Sequence, residues 1–400
     1  MIIKRLILKN WRNFKNVDVK FGDRVFLVGP NAAGKSNFLE VFRFLRDIAR
    51  SDGGGLQKAI ETAGGLKKIR CLAARKDPNV AITVYLGDEG PGSVEWRYSI
   101  VIGQDPKQKD KPHLVSEKIS RHNQPRVIES REGHRVIIRG RPTILLSRPD
   151  EDDKSDPRRL TQTLLEQTFA NKDFREIAAF FESVRYLHLV PQMVRHASEF
   201  VGPQIIGDPF GLRFMERLAE TDGPHRKKFL SRIEGALKVA VPHFKQLRYV
   251  EDERGKPHVE VVYTHWRPGG AKQREDQFSD GTIRLLGLFW ELLESGGPLL
   301  LEEPELSLNN EIVRRIPSLM NDVLMSRPRQ VFVSTHSYAL LSDPGIGANE
   351  VLLLRPHGEG TSVQNAQLIE DVRLLVEGGM SVGEAVLPLT SPHDAFEMQL

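Results

Sequence analysis

Three short stretches predict an α/β protein with a buried sheet. VFLVGPNAAGKSN (25–37) sets an apolar strand, a glycine-rich turn and a helix start in succession. PLLLEEPE (298–305) and QVFVSTHS (330–337) are apolar runs that stop abruptly at acids or hydroxyls. Short, wholly apolar runs of this kind mark parallel strands covered on both faces. In such sheets the chemistry collects beyond the carboxyl ends of the strands, so the three stretches are predicted to converge.

The remaining elements follow in chain order. Residues 2–9 and 17–28 read as strands, the second running into Gly29, and helix-compatible residues follow Ser36. Loops are marked by SDGGGL (51–56) and AGG (63–65). Residues 80–102 and 133–146 are β-rich, with the charged connector DPKQKDKPH (105–113) between them. From Asp156 to Val250 the pattern turns helical, with apolar spacings of three and four over 158–182, 209–221 and 225–240. Strands are read at 246–250 and 259–264, a mixed α/β region over 278–355, and short helical or loop segments beyond it. The domain organisation expected is an N-terminal lobe (1–100), a β-rich insert (101–155), a helical lobe (156–250), a C-terminal lobe (251–360) and a tail (361–400).

Bulk composition narrows the class. The chain has 400 residues, 28% charged and 40% hydrophobic, the mix of a water-soluble globular protein. A net charge of +4 permits contact with nucleic acid without demanding it. Cys71 is the only cysteine, so an internal disulfide is excluded. No apolar run suits a signal peptide or a membrane span, and a cytoplasmic location is expected.

Gly29 to Ser36 (GPNAAGKS) matches G-x-x-x-x-G-K-[ST], the phosphate-binding loop. The backbone amides of Asn31, Ala32, Ala33 and Gly34 can curl round phosphates, and the helix start adds partial positive charge. Lys35 would face the β- and γ-phosphates of ATP, and the Ser36 hydroxyl would bind Mg²⁺. Glu302 and Glu303 end the second run, where one acid can hold the metal's water shell and the next can orient an attacking water. His336 closes the third run and is placed to meet a γ-phosphate. In FSDGT (278–282), Ser279 or Asp280 would cap the helix IRLLGLFWELL. The same helix start, with Ser279 and Gly281, is also an anion site, and both readings can hold together.

In this order, the four pieces resemble the ATP-binding-cassette (ABC) ATPase heads of the RecF, SMC, Rad50 and OLD class, closest to OLD-like ATPases without a TOPRIM nuclease. LILKNWRNFKNVDVKF (6–21) is similar to their first strands, FSDGT to the signature motif, LLLEEPE to Walker B and STHS to the H-loop. RYLHLVPQMVR (185–195) and PFGLRFMERLAE (209–220) resemble their connecting segments. The fold implied is a P-loop NTPase of ABC-ATPase-head type, a mixed sheet core with an inserted β-rich and helical lobe. The resemblance also implies a homodimer, or a higher assembly, that sandwiches two ATP molecules, each touched by Lys35 of one copy and Ser279 of the other. Glu303 would polarise the water, Glu302 and Ser36 would take the Mg²⁺ position, and His336 would sense the γ-phosphate. Arg12, Asn13 and Asn37 would lie beside the nucleotide.

The chain departs from the family pattern in two places. Glu302 stands where the Walker B motif has aspartate, and Leu308–Asn309–Asn310 replaces the frequent Leu-His-Pro. Gln162 and Gln167 are the candidates for the Q-loop. The gap of 242 residues between Ser36 and Ser279 is too short for an SMC or Rad50 coiled coil. The 64 residues after His336 carry no Asp-x-Asp of a TOPRIM nuclease.

The expectation is therefore an ATPase that drives or licenses a separate effector, a nuclease or toxin subunit in anti-phage defence or DNA processing. The alternative is a slow-turnover, nucleotide-gated scaffold that holds a protein partner. A transporter-coupled ATPase lacks its coupling segment here. Double-stranded DNA is a weaker candidate ligand, through arginines 121, 126, 131, 135, 139 and 141, since such a stripe is usually a solvated face.

Overall fold

The two main sheets divide the work between them. A computed structural model describes residues 1–75, 77–88, 94–104, 111–123, 126–129, 135–138, 142–197, 199–200, 207–266 and 270–390. One six-stranded sheet is parallel through five strands, in the order Arg185–Leu187, Leu299–Glu302, Val331–Thr335, Arg24–Val28 and Val351–His357. Gly360–Asn365 adds an antiparallel edge. The three stretches that predicted the fold thus lie on adjacent strands, with their carboxyl ends together.

These strands alternate between two cores. Val25, Leu27, Leu300, Phe332, Leu352 and Leu354 point into one cluster, and Phe26, Val28, Leu299, Leu301, Val333 and Leu353 into the other. A period of two, with both faces covered, is why the runs contain no polar residue until they end. The first core is shared with the helix Lys35–Ala49, whose Phe42 stacks on Phe332 at 4.9 Å. The second holds the helix Asp280–Leu293 with Trp290 fully buried.

The other six-stranded sheet is antiparallel throughout: Phe14–Lys20, Ile2–Trp11, Val80–Gly87, Val94–Gln104, Pro112–Asn123 and Thr143–Arg148. It packs on the first core from the other side of the Lys35–Ala49 helix. Smaller sheets join Phe244–Glu251, Pro257–Tyr263 and Ala271–Arg274, and Arg126–Glu129 with Arg135–Ile138.

The reading of 17–28 as one strand is corrected, because Phe14–Lys20 and Arg24–Val28 belong to different sheets. The chain turns at Phe21–Gly22–Asp23, where the Phe21 ring wedges edge-on against Phe332 at 5.2 Å. The helical reading of 158–182 survives only as Arg175–Glu182, preceded by short 3₁₀ turns. There the carbonyls of Arg159 and Gln162 turn to the buried Arg148 guanidinium, and the Asn171 amide donates to the Leu165 carbonyl. Tertiary hydrogen bonds have displaced the helical ones. Pro112–Asn123 was not read as a strand, because the fully buried Glu117 interrupts its apolar alternation.

No helix among the described residues is long and apolar enough to cross a membrane. Of the 121–141 stripe, Arg131, Arg139 and Arg141 lie outside the described residues, as do the side chains of Arg126 and Arg135; Arg121 sits over the Trp96 ring at 5.3 Å. Residues 105–110 of the charged connector and 391–400 of the tail also lie outside them.

Candidate nucleotide site

The loop after Arg24–Val28 reverses the chain through left-handed backbone at Ala32 (φ 61°) and Gly34 (φ 96°). At Gly34 a Cβ would fall 2.2 Å from the Asn13 amide nitrogen, so conformation and space both require glycine there. The helix starting at Lys35 has no side-chain cap and no acid in its first turn. Its first amides are therefore left for a ligand, which is the electrostatic condition of a phosphate site. The Lys35 ammonium spans the loop, donating to the carbonyls of Gly29 (2.9 Å) and Pro30 (3.2 Å). Burial pulls its pKa down, and the carboxylates of Glu303, Glu305 and Glu302 act against that pull.

The ends of the two neighbouring strands complete the cluster. Ser36 donates its hydroxyl proton to Glu302, and Tyr186 donates to the second oxygen of the same carboxylate. Burial first, and the Glu302 charge second, push the phenol's pKa up. Glu303 adopts a left-handed backbone (φ 45°), with its N–H on the Ser334 carbonyl at 3.0 Å. Such a conformation costs a non-glycine residue about 1–3 kcal/mol, and strain of this kind clusters at functional sites. The turn swings the Glu303 carboxylate out of the sheet to within 3.2 Å of His336 Nδ1.

Glu305 was not singled out from the sequence, yet it fixes this corner. Its Oε1 accepts the Thr335 hydroxyl at 2.5 Å and the His336 N–H at 3.4 Å, and its Oε2 is buried with no partner. Burial pushes its pKa up.

Asn13 is braced on three sides. Its amide donates to the Ala33 carbonyl and the Thr361 hydroxyl, both at 2.8 Å, and its Oδ1 accepts from Asn37 at 2.9 Å. Arg12 instead reaches Glu40 at 2.5 Å and the Ala63 carbonyl at 3.2 Å. From these two residues a cleft of about 680 Å³ runs to Lys67, Lys68, Arg70 and Arg75, four cations without an ion pair among the described residues.

The signature residues stand apart. Ser279 caps the helix Asp280–Leu293 by accepting from Thr282 N at 3.2 Å. A Cβ on Gly281 would sit 3.0 Å from the Ser307 carbonyl, so this helix start abuts the loop after Glu305. No hydrogen bond joins Ser279 or Gly281 to the loop 29–37 among the described residues. The same holds for Gln162 and Gln167, whose backbones serve the packing around Arg148 and Asn171. Among residues the sequence reading did not single out, Tyr186, Thr335, Glu305 and Thr361 act here. LLLEEPE and STHS contain Glu305 and Thr335, and RYLHLVPQMVR contains Tyr186 without marking a role for it.

A family described as "AAA domain, putative AbiEii toxin, Type IV TA system" matches residues 24–342, from the strand before the phosphate loop to just beyond His336. The chain belongs to this AAA family. One solved SMC head shares the fold, and two others are similar at lower scores. The SMC head bound to the C-winged helix domain of ScpA aligns at TM-score 0.51 and 14% identity, covering 91% of this chain and 98% of that one. The SMC head domain from Thermotoga maritima aligns at TM-score 0.46 and 13% identity (91% and 99% covered), and a Pyrococcus furiosus SMC head bound to the C-terminal domain of ScpA at 0.46 and 14% (94% and 99%). No curated protein matches the chain. This AAA family member therefore has the mixed α/β ATPase-head fold that its motifs predicted, the fold of the SMC head.

Its donor set also fits Mg²⁺. A serine hydroxyl and a carboxylate in direct contact are two hard oxygen ligands. Mg²⁺ is commonly held in that sparse way, by one or two protein oxygens together with phosphates and water.

Proposed function

We propose that the protein binds and hydrolyses ATP with Mg²⁺, and that two copies pair on the nucleotide to drive or license a separate effector protein. The observation that carries the reading is Glu303, strained out of the sheet and held beside His336 next to the Ser36–Glu302 pair. Lys35 would exchange its two loop carbonyls for the β- and γ-phosphate oxygens. The Ser36 hydroxyl and the Glu302 carboxylate would hold the metal, whose charge offsets that developing on the phosphates. Glu303 would orient the attacking water and accept its proton, and His336 would hold that carboxylate and meet the γ-phosphate. Ser279 and Gly281 would complete the site on the other copy.

The ScpA domain bound to an SMC head supports an effector that is a separate protein, whereas the family description gives the toxin name to AAA domains such as this one. A nuclease or toxin subunit in anti-phage defence or DNA processing is the reading we favour. For double-stranded DNA, the cleft with Lys67, Lys68, Arg70 and Arg75 is the surface to test.

The deciding experiment is the ATP hydrolysis rate with and without duplex DNA, with Lys35→Ala as the blank. DNA stimulation makes the protein a DNA-responsive switch. A low rate indifferent to DNA favours the gated scaffold. Unchanged nucleotide binding in Lys35→Ala overturns the site itself.

A further inference from the structure

We propose that Tyr186 is a positioning residue that fixes the Glu302 carboxylate for Mg²⁺, in a chain whose Walker B acid is one methylene longer than aspartate. This rests on the reading of Ser36 and Glu302 as the metal's protein oxygens.

The register makes the contact possible. Tyr186 sits on the edge strand opposite Leu300, and Glu302 lies two residues further along the neighbouring strand. Residues two apart share a face, so Leu300, Glu302 and Tyr186 all point toward the helix Lys35–Ala49. That helix presents Ser36 and Arg43, seven residues and two turns apart, on the side facing them. Ser36 donates to one oxygen of Glu302, Tyr186 to the other, and Arg43 covers the Tyr186 ring at 4.2 Å.

An ionised carboxylate only accepts, so both hydroxyls must donate and the carboxylate is pinned at both oxygens. Glutamate has one more rotatable bond than aspartate, and a two-point hold removes the freedom it adds. The Ser36 hydroxyl then keeps its lone pairs for the metal while its proton stays on the serine oxygen, directed at Glu302. Tyr186 itself touches neither the metal nor the nucleotide in this arrangement. Groups that orient a metal's ligands in this way typically change metal affinity by about 10- to 100-fold when removed.

The test is equilibrium binding of a fluorescent ATP analogue, titrated with Mg²⁺ and repeated in EDTA. Tyr186→Phe keeps the ring beneath Arg43 and removes only the hydroxyl. Its half-saturating Mg²⁺ concentration is expected to rise about 10-fold, with affinity in EDTA unchanged. In a Glu302→Asp background the shorter acid no longer spans the gap, so adding Tyr186→Phe is expected to change nothing further. An unchanged Mg²⁺ midpoint overturns the proposal. An equal loss of affinity in EDTA does so too, since that would be a structural effect, and so does a full additional loss in the Glu302→Asp background. If the wild-type chain binds nucleotide without any Mg²⁺ dependence, the metal reading of Ser36 and Glu302 fails and the proposal falls with it. That failure is visible before any variant is made.

Discussion

Replacing Asn13 with alanine separates a residue that touches nucleotide from one that shapes the loop that does. Both hydrogens of the Asn13 amide are already taken, by the Ala33 carbonyl and the Thr361 hydroxyl, and its oxygen accepts from Asn37. The family resemblance puts Asn13 beside the nucleotide, but these bonds leave no side-chain donor for it. Each neutral hydrogen bond contributes about 0.5–1.5 kcal/mol net. Losing all three therefore bounds the destabilisation of the chain at about 1.5–4.5 kcal/mol. Only the bond to Ala33 holds the phosphate loop directly, so the share felt by a ligand is about 0.5–1.5 kcal/mol. That corresponds to roughly 2- to 12-fold in affinity.

The assay is calorimetric titration of Asn13→Ala with ATP, GTP and inorganic triphosphate. If Asn13 is a brace, all three weaken by the same factor, because each sees the same loosened loop. A loss confined to the nucleosides, with triphosphate unchanged, would mean that Asn13 contacts base or sugar and would refute the argument. So would a loss above about 100-fold, the size expected for deleting the Lys35 charge and its two hydrogen bonds to phosphate.

Three further outcomes are expected. Glu303→Gln should keep ATP binding and lose at least about 100-fold in turnover, and size-exclusion chromatography with ATP should show a persistent pair of chains; retained turnover would remove Glu303 from the reaction. Arg148→Met leaves Glu117 buried without its cation and Asp153 with only the longer 3.6 Å pair to Arg159, and breaking such a network costs about 3–5 kcal/mol of stability in urea melts. Because Arg148 holds the Asp153 carboxyl down at about 2, its contribution is present above pH ~4 and lost as pH falls from about 4 toward 2. That acid-side increment should be missing from Arg148→Met. If the cleft binds DNA, Lys68→Glu with Arg70→Glu should flatten the dependence of log affinity on log salt by about 0.9 for each phosphate no longer neutralised; an unchanged slope removes the cleft from consideration.

The parts of the site that the sequence made legible are those set by local backbone. GPNAAGKS is readable because its glycines answer to backbone geometry and phosphate approach. LLLEEPE and QVFVSTHS are readable because a doubly covered strand must be apolar until it ends. Tyr186 was hidden because an edge strand of three residues has too little periodicity to place a side chain. Its partner Glu302 lies 116 positions away, and parallel register across that span is set by packing on both faces. Glu305 was hidden for a related reason. It follows two acids with clearer roles, and its burial depends on Thr335 from the next strand. The turns of 157–174 misled the helical reading because Arg148, outside that segment, takes up their carbonyls.

Ser279 shows how one side chain can satisfy both of the roles its sequence suggested. A hydroxyl has one proton and two acceptor sites. Capping uses one acceptor, for Thr282 N at 3.2 Å. The second contact, with the Thr282 hydroxyl at 2.9 Å, can run in either direction. If Thr282 donates, the Ser279 proton stays available, and the helix start can offer it to a phosphate without losing its cap. If Ser279 donates, the cap survives but the proton is spent inside the chain. Under the proposed pairing, an arriving γ-phosphate accepts hydrogen bonds and gives none. It therefore selects the first arrangement, in which rotation of two hydroxyls readies the helix start and the backbone need not move.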